Sequence, residues 1–145
     1  VANEGFMQGE SARALRYRSF IRGKNIRVLA DVHVKHGAHA IVADRPVEEQ
    51  AGDVEFFDAD VAIATGQRTG DATPVSEINV VRSGTTLPVI IGSGLNSENA
   101  GELMRAADGA IVGSSLKKDG VWWNEVDVAR VRALVEEVDK IRREM

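Results

Sequence analysis

The sequence predicts an α/β fold: the C-terminal half of a (β/α)8 TIM barrel, contributing strands 5 to 8 with helices 4 to 8. Three observations carry that prediction. Short aliphatic runs alternate with amphipathic, helix-forming segments along the whole chain, a pattern that builds a parallel sheet with helices outside it. Each run ends on a polar or glycine-rich loop, as in a barrel, where every strand end faces one site; an open doubly wound sheet gathers its ligand contacts at one switch point instead. The 145 residues hold four such units, whereas a complete barrel takes about 250 residues. The chain therefore reads as a single domain over 1–145, a fragment of a longer barrel. Its opening, Val1-Ala2-Asn3-Glu4-Gly5, with no initiator methionine and no capping device, fits that expectation.

The elements follow in order. Residues Glu10 to Arg22 favour helix, with Ala12, Ala14, Leu15, Phe20 and Ile21 as apolar surface, and Gly23 is placed to close it in a left-handed conformation. A first strand is expected from Ile26 to Lys35. Asp44-Arg45-Pro46 starts a helix whose inward face is Val47, Ala51, Val54 and Phe57. A second strand, Asp60 to Thr65, runs into Gly66-Gln67-Arg68-Thr69-Gly70, and Thr73 caps the next helix ahead of Pro74, with Val75, Ile78 and Val81 inward. Leu87 to Ile91 is the third strand; Asn96 or Ser97 caps the helix after it, whose face is Ala100, Leu103, Met104 and Ala107. Gly109 to Val112 is the fourth strand. Asp127 caps a long last helix with Val128, Val131, Val135, Val138 and Ile141 along one side, and Trp122 and Trp123 before it read as packing anchors over a barrel end.

The first strand carries the chemistry. In Val28-Leu29-Ala30-Asp31-Val32-His33-Val34-Lys35-His36-Gly37, alternation places Asp31, His33 and Lys35 on one face, Val32 and Val34 on the other, and leaves His36 off the shared face. A buried polar group without a partner costs about 1–3 kcal/mol, so three on one strand must pair with one another, with water or with a ligand. His33 is the natural proton carrier near neutral pH, Asp31 orients it or acts as base, and Lys35 steadies a developing anion or forms a Schiff base. No cofactor is required by this pattern, although Asp31 and His33, two apart on one strand, also suit a divalent metal. Thr65, Gln67 and Thr69 offer neutral groups that orient a substrate.

The last two strands point to phosphate. Val89 to Leu95 and Ala110 to Ser115 each end in a glycine-rich turn, where the backbone can approach an anion closely and offer its N–H groups. The loops after strands 7 and 8 are where barrels commonly hold a phosphate. The expected binding residues are Ser93, Gly94, Leu95, Gly113 and Ser114, with Lys117 as a nearby positive charge.

Four segments together resemble the BtpA family, which includes SgcQ-like proteins: Asp31-Val32-His33-Val34-Lys35-His36, Thr65 to Gly70, Pro88 to Asn99 (PVIIGSGLNSEN), and Asp108 to Gly120 (DGAIVGSSLKKDG); Gly9 to Arg18 (GESARALRYR) is similar to that family's helix before strand 5. The resemblance implies a phosphate-binding type of TIM barrel. It does not imply a settled reaction, because the family takes its name from photosystem I biogenesis. It also implies that an N-terminal half-barrel, with whatever catalytic groups strands 1 to 4 carry, lies outside these residues.

Composition narrows the partners. A net charge of -4 with scattered Lys and Arg residues gives no support to a nucleic-acid partner. No cysteine is present, which removes disulfides, thiolate metal sites and a cysteine nucleophile. No apolar run approaches a membrane span and nothing resembles a signal peptide, so a cytoplasmic protein is expected, with peripheral membrane association left open. Two readings of function remain: an enzyme acting by acid–base chemistry on a small phosphorylated metabolite, a sugar phosphate or nucleotide-like molecule, or a non-catalytic assembly factor using the barrel as a scaffold. Either way, a half-barrel has two parallel edge strands and an apolar inner face, so pairing with a second half-barrel or homo-oligomerisation is expected.

Overall fold

A computed structural model of the chain describes residues 5, 6, 8–66 and 72–145. Helix α1 (Ser11–Phe20) precedes four strand–helix units: β1 (Leu29–Asp31) with α2 (Val47–Phe56), β2 (Val61–Ala64) with α3 (Val75–Ser83), β3 (Val89–Ile91) with α4 (Ala100–Ala106), and β4 (Gly109–Ala110) with α5 (Val128–Glu144). The strands form one parallel sheet in the order β1-β2-β3-β4. All strand C-termini therefore lie along one edge, and every loop with expected chemistry emerges there.

Register assigns the two faces. Asp31 pairs with Ile63, and Ile63 with Ile90, so Leu29, Asp31, Ile63 and Ile90 share one face. Ala62 and Ala64, paired with Val89 and Ile91, lie on the other. That second face carries the core, where the strand residues pack with Ala51, Ile78, Val81, Leu103, Met104, Leu134 and Ile141 from α2 to α5. On the first face the edge positions are open: Leu29 is 45% exposed, and Ile111, just past β4, is 47% exposed. In a closed barrel this is the interior face.

Several local expectations are corrected. The first strand ends at Asp31 rather than Lys35, although Val32 adds one further bond, its N–H donating to the Ile63 carbonyl at 3.2 Å. Beyond it the chain turns through His36, whose φ of 59° breaks the pleat despite the β-branched Val32 and Val34. Helix α1 closes through Arg22, not Gly23. Arg22 has a φ of 57°, its N–H donates to Ser19 and that of Gly23 to Arg18, the paired bonds of a Schellman motif. Phe57 lies beyond α2 and is 52% exposed, leaving Val47, Ala51 and Val54 as the inward face. Thr73 does not cap α3; its hydroxyl accepts from the Gly66 N–H at 3.1 Å and donates to the Ser93 carbonyl at 3.4 Å. Asn96 rather than Ser97 organises the start of α4, accepting from the Glu98 and Asn99 N–H groups. Asp127 caps α5 as expected, yet the packed stripe there is Leu134, Val138 and Ile141, with Val128 and Val135 exposed. Trp122 and Trp123 meet edge to face, centroids 5.3 Å apart, and both remain exposed rather than anchoring a barrel end.

Candidate functional site

Two clefts open along the C-terminal edge of the sheet. The first is built by the loop after β1. Because the strand stops at Asp31, the loop itself, not strand alternation, brings His33 and Lys35 together. His39 closes it: one ring nitrogen, Nε2, lies 2.7 Å from the Val34 carbonyl, and its ring lies over that of His33 with centroids 3.6 Å apart. His33, Lys35, His36, His39, Thr65 and Gly66 help to line the resulting cleft of about 180 Å³. Burial, and then the charge of neighbouring His39, hold the His33 imidazole below its ordinary value of 6.5. His33 is thus favoured as a neutral proton acceptor.

Asp31 joins this cleft through Thr65. Both side chains project from the face opposite the helices, and the Thr65 hydroxyl donates to Asp31 Oδ1 at 2.5 Å. Thr65 is 3% exposed, and Gly92 is what leaves it room: a methyl on Gly92 would fall 2.4 Å from Thr65 Oγ1 and 2.8 Å from Ile63 Cγ2. Behind Thr65 stands Glu77, in the first turn of α3, which accepts from the Thr65 backbone N–H while its Oε1 is buried without a hydrogen-bond partner. Burial pushes the Glu77 carboxyl above its usual value of 4.5. Gln67 and Thr69, the other residues expected at this strand mouth, lie outside the described residues. Among the described residues, no three of His, Asp and Glu gather closely enough to hold a metal ion.

The second cleft lies between the loops after β3 and β4 and has a volume of about 720 Å³. Ser93, Gly94, Leu95, Gly113 and Ser114 all line it, so two loops read separately in the sequence form one wall. Gly94 has a φ of 80°, a conformation suited to glycine, and the loops are tied together where the Ser115 hydroxyl donates to the Leu95 carbonyl at 2.6 Å. Among the described residues, the backbone N–H groups of Ser93, Gly94, Gly113 and Ser114 find no protein acceptor. Lys117 does not line this space; its backbone forms an antiparallel bridge with Val126. The positive residue on the lining is Arg130, which the sequence reading missed, with Glu98 as its opposite charge.

His39 and Arg130 are the two site residues that the linear pattern did not single out. His39 reaches the cleft only because the chain reverses after His36. Arg130 is one of many basic residues, but its place in the first turn after the Asp127 cap directs it back toward the strand ends.

Comparison with known proteins agrees with this architecture. The model of the BtpA family matches residues 1–140. An uncharacterized mitochondrial protein of Caenorhabditis elegans is 39% identical over 143 residues, covering 99% of this chain and 51% of that protein. The photosystem I biogenesis protein BtpA of Synechocystis is 33% identical over 137 residues, covering 94% of this chain and 47% of that one. The chain thus spans about half the length of the curated relatives it matches. Among solved structures, N-(5'-phosphoribosyl)anthranilate isomerase from Pyrococcus furiosus is similar with a TM-score of 0.55 at 20% identity, over 84% of this chain and 55% of that one. Tryptophan synthase from Mycobacterium tuberculosis is similar with a TM-score of 0.54 at 20% identity, over 94% and 49%. These likenesses establish the fold, α/β with a four-stranded parallel sheet matching half of a barrel. Among the described residues, no helix is long and apolar enough to cross a membrane.

Proposed function

The chain belongs to the BtpA family, and from its geometry we propose that it forms the C-terminal half of a barrel that binds a small phosphorylated metabolite, a sugar phosphate or nucleotide-like molecule, and acts on it by acid–base chemistry. The observation that carries the proposal is the joining of the two glycine-rich loops into one cavity wall with open N–H donors. Fixed donors of this kind suit a phosphoryl group because they need no reorganisation to meet its charge.

The reacting part of the ligand would then lie toward the loop after β1, at the same edge of the sheet. There a neutral His33 accepts a proton, since its depressed value keeps it unprotonated near pH 7. Lys35 supplies positive charge to an anion forming beside it. Asp31, fixed by Thr65, orients the reacting group or takes part as a base. Isothermal titration of the full-length protein with sugar phosphates and nucleotides tests this reading. Binding that survives His33→Ala but is lost in Gly113→Asp fits the division into a phosphate end and a reacting end. If no phosphorylated ligand binds, the reading fails.

The open face carries a second part of the proposal. Leu29 and Ile111 sit exposed at the two ends of a sheet whose other face carries the packed core. A second half-barrel, from the remainder of a longer chain or from another copy, would cover them and restore a closed interior. Sedimentation of these 145 residues alone is expected to show association, and a stable monomer contradicts it. A scaffold role has one observation in its favour, the exposed Trp122–Trp123 pair. In that case capture of a protein partner would need the tryptophans and would be indifferent to Asp31→Asn.

A further inference from the structure

We infer that Arg130, and not the nearby Lys117, is the side chain that recognises the charge of the phosphoryl group in the cavity between the loops after β3 and β4, and that the ligand presents there as a phosphomonoester. The inference rests on the phosphate reading of that cavity and names the residue that reads the charge.

Four observations converge on Arg130. Among the described residues lining the cavity it is the one Lys or Arg. The other charged side chain there is Glu98, so without Arg130 the lining would repel an anion rather than attract it. The guanidinium is also held where it is needed. Its Nη1 donates to the Ser115 carbonyl at 3.3 Å, which belongs to the loop whose Gly113 and Ser114 N–H groups are open, and Ser115 is itself pinned to Leu95. Lastly, the group is under-used. Of five N–H donors, one makes that long bond. The approach of Nε to Asp127 Oδ2 is 3.9 Å, and Asp127 spends its Oδ1 on the helix cap. A planar fork with donors to spare, set beside two open backbone N–H groups, matches the several terminal oxygens of a monoester better than a single ammonium would. Lys117 has the charge but not the position, since its own backbone bridges to Val126 and the residue is not among those lining the cavity.

The test is isothermal titration of inorganic phosphate and ribose 5-phosphate into the full-length protein and its Arg130→Gln, Arg130→Lys and Lys117→Gln variants. Arg130 is 45% exposed at its side chain, so its replacement leaves the fold intact, which circular dichroism checks. Expected are a loss of roughly 10- to 100-fold for Arg130→Gln, as for removal of a charge-assisted hydrogen bond, a smaller loss for Arg130→Lys, and a change below about twofold for Lys117→Gln. If the wild type binds both ligands and Arg130→Gln binds them equally well, or if Lys117→Gln is the more damaging change, the assignment of Arg130 is overturned while the phosphate site stands. If the wild type binds neither ligand, the phosphate reading fails and the assignment with it.

Discussion

Replacing Gly92 by alanine probes the join between the two clefts. The added methyl would stand 2.4 Å from Thr65 Oγ1, 2.8 Å from Ile63 Cγ2 and 3.3 Å from Thr65 Cβ. An ordinary contact begins near 3.4 Å, so the hydroxyl must retreat by about 1 Å or rotate away. Either movement breaks its bond to Asp31. Overpacking of this kind costs about 1–3 kcal/mol. At the exposed Asp31 water takes the place of the hydroxyl, whereas the buried Thr65 hydroxyl loses its acceptor, which sets the cost toward the upper end of that range. A destabilisation of about 1–3 kcal/mol is therefore expected in urea unfolding of the full-length protein. Thr65→Ala in the same chain removes the nearer of the two clashing atoms, leaving Ile63 Cγ2. The double variant should recover about 1 kcal/mol or more relative to the sum of the single changes. Gly109→Ala, whose methyl would meet Ile90 at an ordinary 3.4 Å, serves as the control and should change stability by less than about 0.5 kcal/mol. Additive effects of the Gly92 and Thr65 changes would refute the reasoning, since they would mean that the two positions do not touch.

Three further outcomes follow from other contacts. Gly84→Ala should be far more damaging than Gly52→Ala in the same unfolding assay. Its methyl would fall 1.9 Å from the Glu48 carbonyl oxygen, against 3.3 Å from the Gly84 oxygen for Gly52, and backbone cannot step aside; about 3 kcal/mol or more is expected for the former. His39→Ala should raise the His33 value in an NMR titration while leaving it under 6.5, because burial is the larger cause of its depression. A folded value below the unfolded one means that the unfolded chain takes up the proton first. The stability contributed by neutral His33 is thus present above about pH 6.5 and declines as pH falls from there. Glu77 has the opposite sign: its folded value is raised, so stability falls as pH climbs above 4.5. Glu77→Gln should then raise the unfolding midpoint at neutral pH, with the gain vanishing below 4.5; a gain that persists in acid would contradict this.

Much of this architecture is legible in the sequence, for physical reasons that also mark where legibility stops. Alternating aliphatic runs and amphipathic segments yield the β2–α5 framework because burial against helices demands that pattern, and Val89 and Ile91 are fully buried as it requires. The glycine-rich turns after β3 and β4 are equally readable, since positions such as Gly94 need a conformation other residues avoid. The loop after β1 is not readable in this way. Val32 and Val34 favour strand, but β2 offers no partner beyond Ala64, and His36 turns the chain instead. Strand alternation groups His33 with Lys35, and the structure brings the two to one cleft by a turn of the loop instead. Thr65 as the partner of Asp31, His39 over His33, and Arg130 rather than Lys117 on the cavity wall all depend on pairings between distant segments. No spacing within one segment encodes such pairings. The inward stripe of α5 differs from its periodicity for a related cause: Val138 and Ile141 pack as the spacing predicts, but Val128 and Val135 remain more than half exposed while Leu134 takes the buried position.

The central claim is that a phosphorylated ligand seats between the loops after β3 and β4. Amide NMR of the full-length protein during titration with ribose 5-phosphate tests it most directly. The account predicts the largest saturable shifts at the N–H groups of Ser93, Gly94, Gly113 and Ser114, with smaller ones near His33. Saturable binding that leaves those four amides unmoved, or the absence of any binding, would contradict it.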